Sequence, residues 1–366
     1  MLERHVTKYL APGWFAMIMG TGGLANILNQ WQNVFPAGHL LSLLFAALAS
    51  VLYFLVLSPW VLRWISYFEY VRRDLHHPVT SNFFVTMPVA TIIIGTNIHV
   101  VWSGYLGGVL AFWLAILAWV IGIVGVTLFS FYTTFRIIQV EVEPQPENTN
   151  FSWIMAPIAN MATLLLGNLV LIMSFNIKPT WGMSILIVNI IMFGIGFFLF
   201  LFISSVIFVR LAQYPLPPVE LTPSFGILLS AVGLAVIAII DTARSAQILG
   251  VVDSVDLAYL GAAIIWGFGV WVIGIIGMIS FYHFRRGGIP FNLGWWAFIF
   301  PLAAYTIASQ KIAAIFFTPL TYWFSLILTI FLLLIWFYVF INTAIGVWSG
   351  KLFMGSRILR TSIDGK

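Results

Sequence analysis

Long apolar stretches separated by short polar loops run through almost the whole chain. A helix that crosses a bilayer needs about 20 mostly apolar residues, and ten stretches approach that length. They lie at 14–28, 40–65, 83–97, 105–132, 153–175, 181–209, 225–240, 257–281, 295–308 and 314–347. This pattern predicts an all-α integral membrane protein with ten transmembrane helices. Residues 1–366 would form a single transmembrane domain, with cytoplasmic tails at roughly 1–11 and 350–366.

The odd-numbered and even-numbered stretches differ in composition. Even stretches are long, continuous and rich in Leu, Ile and Phe, whereas odd stretches are shorter and interrupted by Gly, Pro, Ser, Thr and Asn. Each odd stretch has an interruption after its leading aromatic residues, and these fall at Gly20, Pro88, Pro157, Ser230 and Pro301. The steps between them are 68, 69, 73 and 71 residues. A period near 70 residues fits one helical hairpin, so we predict five hairpins in a quasi-fivefold ring. The repeat leads us to expect a proline at position 230, and Ser230 departs from that expectation.

The interrupted odd helices are predicted to surround a central pore. A proline inside a helix frees a carbonyl, which is tolerated at membrane depth only against protein or water. A lining of uncharged hydroxyl and N–H donors would hold an anion weakly enough to release it. For each polar side chain taken alone, hydrogen bonding between helices is the competing interpretation. The residues predicted to line the pore or kink its helices are Gly20, Thr21, Pro88, Pro157, Asn160, Ser230 and Pro301.

Charge is scarce, and its distribution predicts the orientation. Only 7% of residues are charged, the net charge is +5, and there is no Cys. With ten crossings, 13 of the 16 Lys and Arg fall on the side of both termini, and only Lys178, Arg244 and Lys311 fall on the other. The positive-inside rule then places both termini in the cytoplasm of a cell (plasma or inner) membrane. Membrane orientation explains the basic residues, so we predict no nucleic-acid partner.

Three ionisable residues end odd stretches and are candidates for an anion vestibule. Arg244 and Lys311 would attract anions electrostatically. The alternative is an ion pair between Asp241 and Arg244, which stand three residues apart and would be neighbours on a helix. We find no nucleophile–acid set, nucleotide loop or metal-ligand set, and His76 and His77 are adjacent residues that seldom converge on one ion. The sequence therefore predicts no enzyme, no metal and no cofactor.

Four segments resemble the tellurite-resistance/dicarboxylate transporter family. They are PGWFAMIMGTGG at 12–23, HPVTSNFFVTMP at 77–88, LTPSFGILLSAVG at 221–233 and FNLGWWAFIFPLAAYTIA at 291–308. The resemblance covers the whole chain. Members of this family include TehA-type tellurite-resistance proteins, malate permeases, sulfite exporters and plant slow anion channels.

The resemblance implies both a gate and a class of substrate. It implies five hairpins around a pore in each protomer, a homotrimer, and a pore-occluding Phe just before the proline of the ninth helix, which is Phe300 here. We expect a membrane anion transporter for C4-dicarboxylates such as malate, or for related small anions. The alternatives are a passive gated channel for chloride or nitrate, and an efflux protein for sulfite or tellurite. Two further rivals are a membrane-embedded enzyme, for which we find no convergent nucleophile, acid or metal set, and a structural membrane subunit, which does not fit the pore-like repeat.

Overall fold

The computed structural model describes residues 7–139, 149–350 and 352, and all regular secondary structure in them is helical. Ten long helical segments follow one another along the chain. They are α1 Phe15–Gln30, α2 Ala37–Ser66, α3 Thr80–Leu106, α4 Gly108–Ile138, α5 Phe151–Ile177, α6 Pro179–Gln213, α7 Val219–Ile248, α8 Asp256–Phe284, α9 Leu293–Phe316 and α10 Pro319–Trp348. A short surface helix, Phe68–His76, joins α2 to α3. Most of the predicted tails lies outside the described residues.

Nine of the ten helices in this part of the chain are long and apolar enough to cross a membrane. The remaining one is α1, whose 16 residues rise only about 24 Å, against a hydrocarbon core of about 30 Å. A 3₁₀ turn at Pro12–Trp14 precedes it. The protein is therefore a multi-pass helical membrane protein, and the tenth crossing stays a prediction.

Burial separates the odd helices from the even ones, as the composition predicts. In the most apolar 18 residues of each helix, 61–94% are buried in α3, α5, α7 and α9, against 17–39% in the even-numbered helices. Residues Phe15 to Leu28 of α1 are buried throughout. We call α1, α3, α5, α7 and α9 the inner helices and the others the outer helices. The outer helices expose Leu, Ile, Phe and Trp over most of their length, as lipid contact requires.

The inner helices contact one another in cyclic order. α1 packs against α3, α3 against α5, α5 against α7, α7 against α9, and α9 against α1. Each inner helix also packs against the outer helix that follows it in the chain. The hairpin is therefore the structural unit, in agreement with the period of about 70 residues.

Each inner helix begins with a short 3₁₀ segment, and this changes the meaning of its proline. Pro88 and Pro157 are the third residues of the α-helices Thr86–Asn97 and Met155–Ala162. In the first turn of an α-helix a proline breaks no hydrogen bond of that helix. Pro88 and Pro157 therefore do not interrupt their α-helices. Of the three prolines, only Pro301 lies beyond the first turn of its α-helix, Trp296–Phe316. The irregular turns lie elsewhere, at the π-helical residues Ile98–Trp102 and at the break at Thr163.

Polar side chains join three inner helices to the outer helix of the preceding hairpin. Thr91 of α3 bonds to Tyr53 of α2 at 2.8 Å, and Asn160 of α5 donates to Ser130 of α4 at 2.7 Å. Ser309 of α9 accepts from the Trp266 indole of α8 at 2.9 Å. For these residues the competing interpretation, hydrogen bonding between helices, is confirmed. In lipid such bonds take the place of a hydrophobic driving force between helices.

The same arrangement connects the two ends of the chain. The indole N–H of Trp336 in α10 donates to Thr21 Oγ1 in α1 at 3.1 Å. Thr21 in turn donates to the Met17 carbonyl at 2.8 Å. The last hairpin is thereby fastened to the first, although 315 residues separate the two side chains.

All five inner helices extend beyond their predicted ends, and two of these extensions carry charged residues. α7 continues to Ile248 and α9 continues to Phe316, whereas the apolar patterns end at 240 and 308. The charged residues Asp241 and Lys311 therefore lie on helices and not in loops. The residue after α9, Phe317, has a left-handed backbone with φ of 50°, and Pro319 begins α10.

Candidate functional site

Two cavities lie between the inner helices, and residues from all five helices line each of them. The carboxyl-end cavity lies toward the C-terminal ends of these helices and has a volume of about 120 Å³. The amino-end cavity lies toward their N-terminal ends and has a volume of about 20 Å³. One water needs roughly 10–15 Å³ measured in this way, so the larger cavity has room for several waters and the smaller for about one.

Phe300 is the aromatic residue shared by the two cavities. Its side chain lines both of them and is only 5% exposed. The two cavities therefore adjoin each other at this residue.

Close packing around two glycines fixes the position of α9 and hence of Phe300. A Cβ at Gly20 would lie 2.7 Å from Ile299 Cγ2, and a Cβ at Gly233 would lie 2.6 Å from the Tyr305 backbone nitrogen. Any side chain at these two positions would push α9 away from α1 or from α7. Gly20, in the GTGG segment of α1, thus allows α9 to pack closely against α1 next to Phe300.

The lining of the carboxyl-end cavity is largely apolar, with a few polar groups. Asn26, Gln30 and Thr96 contribute uncharged polar side chains. The amide oxygen of Asn26 is buried without a hydrogen-bond partner among the described residues. Asp241 and Lys311 are the charged residues that line this cavity. A small polar solute would therefore meet few charges there.

The two charged residues form an ion pair across the cavity wall. Lys311 Nζ lies 2.6 Å from Asp241 Oδ1, and the side chains are 22% and 23% exposed. The prediction that Asp241 pairs with Arg244 is wrong. Arg244 instead donates to the Tyr259 hydroxyl at 2.6 Å and lies 5.3 Å from the centre of that ring. Asp241 and Lys311 lie on two different helices and are 70 residues apart in sequence. The spacing of residues within one helix therefore gives no indication of this ion pair.

The predicted pore residues fall into two groups. Ser230 and Pro301 line the amino-end cavity together with Phe300. Among the predicted vestibule residues, Lys311 lines the carboxyl-end cavity, and Arg244 lies on the exposed surface beside Tyr259.

The other predicted pore residues contact neighbouring helices and line neither cavity. Thr21 and Asn160 form hydrogen bonds to outer helices. Pro88 packs where a Cβ on Gly125 of α4 would meet it at 2.8 Å, and the Pro157 carbonyl lies 2.7 Å from a Cβ built on Gly196 of α6. Gly20 serves the close approach of α9 described above. These side chains hold the inner helices against their surroundings.

Several residues that line the cavities escaped the sequence prediction of the site. Gly23 and Gln30 line the carboxyl-end cavity, and Met19 and Trp296 line the amino-end cavity. Asn26 and Thr96 also line the carboxyl-end cavity, and the sequence offers them as candidates because they are polar residues within apolar stretches. Their direction is not visible, because these helices are buried on all sides.

The chemistry that this site offers follows from its lining. Among residues 7–139 and 149–350, no group of three or more His, Cys, Asp or Glu could hold a metal ion. The lining offers neutral polar groups, one ion pair and the aromatic residue Phe300. Such a lining can bind a small polar or negative solute weakly.

Known proteins match the chain over most of its length. The family model described as voltage-dependent anion channel matches residues 9–344. An uncharacterized transporter of Methanocaldococcus jannaschii is 28% identical over 96% of this chain and 97% of its own length. A sulfite efflux pump of Arthroderma otae is 27% identical over 82% of this chain and 80% of its own. The malic acid transport protein of Schizosaccharomyces pombe is 23% identical over 80% and 68%.

These matches confirm the resemblance that the four segments indicate. The relatives are described as transport proteins, and the family model covers nearly every helix described above. The chain therefore belongs to the voltage-dependent anion channel family.

Proposed function

We propose that this protein passes small anions across the membrane between its five inner helices, with Phe300 as the gate. The observation that carries the proposal is the position of Phe300 as a shared wall of two otherwise separate cavities. The two cavities are parts of one central pore, and the ten helices form a quasi-fivefold ring around it. The cyclic contacts of the inner helices support this arrangement.

The lining suits anions that must both enter and leave. A row of fixed cations would bind an anion too tightly for passage, whereas neutral donors hold it loosely. When the Phe300 ring swings aside, its positive edge can face a passing anion. The inner helices expose no continuous series of carboxylates that would carry protons, since Asp241 is the acidic residue of the carboxyl-end cavity.

C4-dicarboxylates such as malate are the proposed substrates. The similarity to a malic acid transport protein supports this choice, and the similarity to a sulfite efflux pump favours sulfite as the second candidate. A passive channel for chloride or nitrate is the remaining alternative. We place the protein in the plasma or inner membrane with both termini in the cytoplasm, as a homotrimer. The exposed apolar faces of the outer helices leave room for contacts with lipid and with other protomers.

The test is anion flux through Phe300→Ala in proteoliposomes. Flux of malate, succinate, sulfite, nitrate and chloride is measured with and without a proton gradient. Removing the ring joins the two cavities, so we expect flux of the preferred anion to rise several-fold. The matched control is Phe298→Ala, since Phe298 lies two residues away on α9 and lines a different cavity, between α7, α8, α9 and α10. Its flux is expected to stay near the wild-type value.

Two results would count against the proposal. If Phe300→Ala conducts no better than wild type while remaining monodisperse, Phe300 is not the gate. If wild type and Phe300→Ala both move none of the five anions, anion passage itself is wrong. The panel also separates the substrates, because saturable malate uptake that depends on pH identifies a carrier and unsaturated chloride current identifies a channel.

A further inference from the structure

The carboxyl-end cavity holds a cation that is neutralised by a neighbouring carboxylate. Lys311 is the cation of the lining, and its ammonium group lies 2.6 Å from Asp241 Oδ1. The pair is neither sealed in protein nor fully solvated, since each side chain is about one-fifth exposed. Water and a small solute in the cavity can therefore reach both groups.

A carboxylate at this position occupies the place that an anionic solute would take. Charge-assisted hydrogen bonds from an ammonium group to carboxylate oxygens are among the stronger contacts that a small anion can make. As long as Asp241 receives that contact, an entering anion meets a neutral pair instead of a free ammonium group. Asp241 therefore opposes anion binding by occupying Lys311.

The surroundings allow the carboxylate to be displaced. A partly exposed ion pair is weak, typically well within the range that a competing ligand can overcome. Arg244, one helical turn further along α7, is engaged by Tyr259 and forms no ion pair with Asp241. Lys311 is therefore the cation that pairs with Asp241. Because the partner of Lys311 is a carboxylate, the carboxylate of a substrate can take the same place on the ammonium group.

We propose that Lys311 is an anion-binding subsite of the pathway and that Asp241 is its built-in competitor, which an entering anion must displace. This inference rests on the proposed passage of anions and adds a specificity-determining pair to it. Asp241 sets the threshold of affinity, because only anions that bind an ammonium group well can open the pair. Carboxylates and other oxyanions are favoured over halides in this respect.

The first experiment measures anion binding without transport. The detergent-solubilised protein is titrated with malate, sulfite, nitrate or chloride, and the rise in its unfolding temperature gives an apparent Kd. Asp241→Asn keeps the shape of the side chain and removes its charge. We expect it to lower the apparent Kd about two- to fivefold. Lys311→Met is expected to raise the apparent Kd at least about fivefold, since the ammonium contact is lost.

The double variant separates competition from a general change in charge. If Asp241 acts only through Lys311, Asp241→Asn changes the apparent Kd by less than about twofold when Lys311 is already Met. Asp253→Asn is the matched control, because Asp253 lies on the exposed loop after α7 and outside the cavity. It makes the same change in net charge and should leave the apparent Kd unchanged. Asp241→Ser serves as a second neutral variant if Asp241→Asn does not fold.

Liposome flux then distinguishes failure of this inference from failure of the proposed function. If wild type moves anions but Asp241→Asn and Asp241→Ser bind them no more tightly, the competitor role is refuted. An equal gain in affinity in the Lys311→Met background, or in Asp253→Asn, refutes it as well. If wild type neither binds nor moves any of the anions, the proposed function has failed and the inference falls with it.

Discussion

A buried ion pair at the amino end of the inner helices gives the most quantitative prediction for stability. Arg63, near the end of α2, has no exposed surface, and its Nη2 lies 2.5 Å from Asp74 Oδ2. The guanidinium also donates to the carbonyls of Lys8 and Tyr70, at 3.2 and 3.3 Å. One side chain thus joins α2, the surface helix and the residues that lead into α1. The sequence placed Arg63 among the loop cations that set orientation, and it missed this role.

Asp74→Ala would leave the guanidinium buried without this carboxylate. Removing one partner of a buried ion pair costs about 3–5 kcal/mol. We expect the lower end, about 3 kcal/mol, because the two carbonyls continue to accept from Arg63. The double variant Arg63→Met with Asp74→Leu removes both charges, and apolar replacement of a buried pair is often close to neutral. It should therefore be more stable than Asp74→Ala alone.

Equilibrium unfolding in mixed detergent micelles, followed by Trp fluorescence, measures both free energies. Asp253→Asn on the exposed loop is the control and should change the free energy of unfolding by less than about 0.5 kcal/mol. A loss below about 1 kcal/mol for Asp74→Ala would show that the pair does not hold this end together. If the double variant is less stable than Asp74→Ala, the loss in Asp74→Ala does not come from burying the Arg63 charge without the Asp74 carboxylate.

Two further predictions concern helix packing. Gly233→Ala should lower the free energy of unfolding by about 1–3 kcal/mol, since its Cβ would meet the backbone of Ala304 and Tyr305. Gly261→Ala is the control: a Cβ there has nothing within 4 Å, so this variant should be as stable as wild type or slightly more stable. Equal unfolding temperatures for the two variants would contradict this reasoning. Trp336→Phe removes the hydrogen bond to Thr21, worth about 1 kcal/mol. Detergent unfolding should show that loss, and an unchanged free energy would mean that packing alone holds α10 to α1.

The division into inner and outer helices could be read from the sequence. A helix that faces lipid on most of its surface must be apolar throughout, whereas a helix enclosed by other helices can carry Gly, Thr and Asn. Phe300 was located through the family resemblance, by its place before Pro301 in the segment at 291–308, and it lines both cavities. These features are local in sequence or periodic, so the one-dimensional pattern retains them.

The directions of the polar side chains could not be read in the same way. α1 is buried on every side, so the pattern of apolar residues does not single out one face of this helix. Thr21 and Gly23 are two residues apart, yet Thr21 bonds to an outer helix and Gly23 lines the cavity. Each successive residue turns by about 100°, and only the positions of the neighbouring helices decide what each one meets.

The sequence by itself determined that this is a membrane protein, that it folds as helical hairpins, and that Gly, Pro and uncharged polar residues interrupt alternate helices. Tertiary structure alone decided which groups meet, as in the pair of Asp241 with Lys311 where Arg244 stands closer in sequence. The physical reason is that composition and periodicity are properties of single segments. An ion pair or a cavity wall depends on the relative rotation of helices far apart in the chain, and packing fixes that rotation.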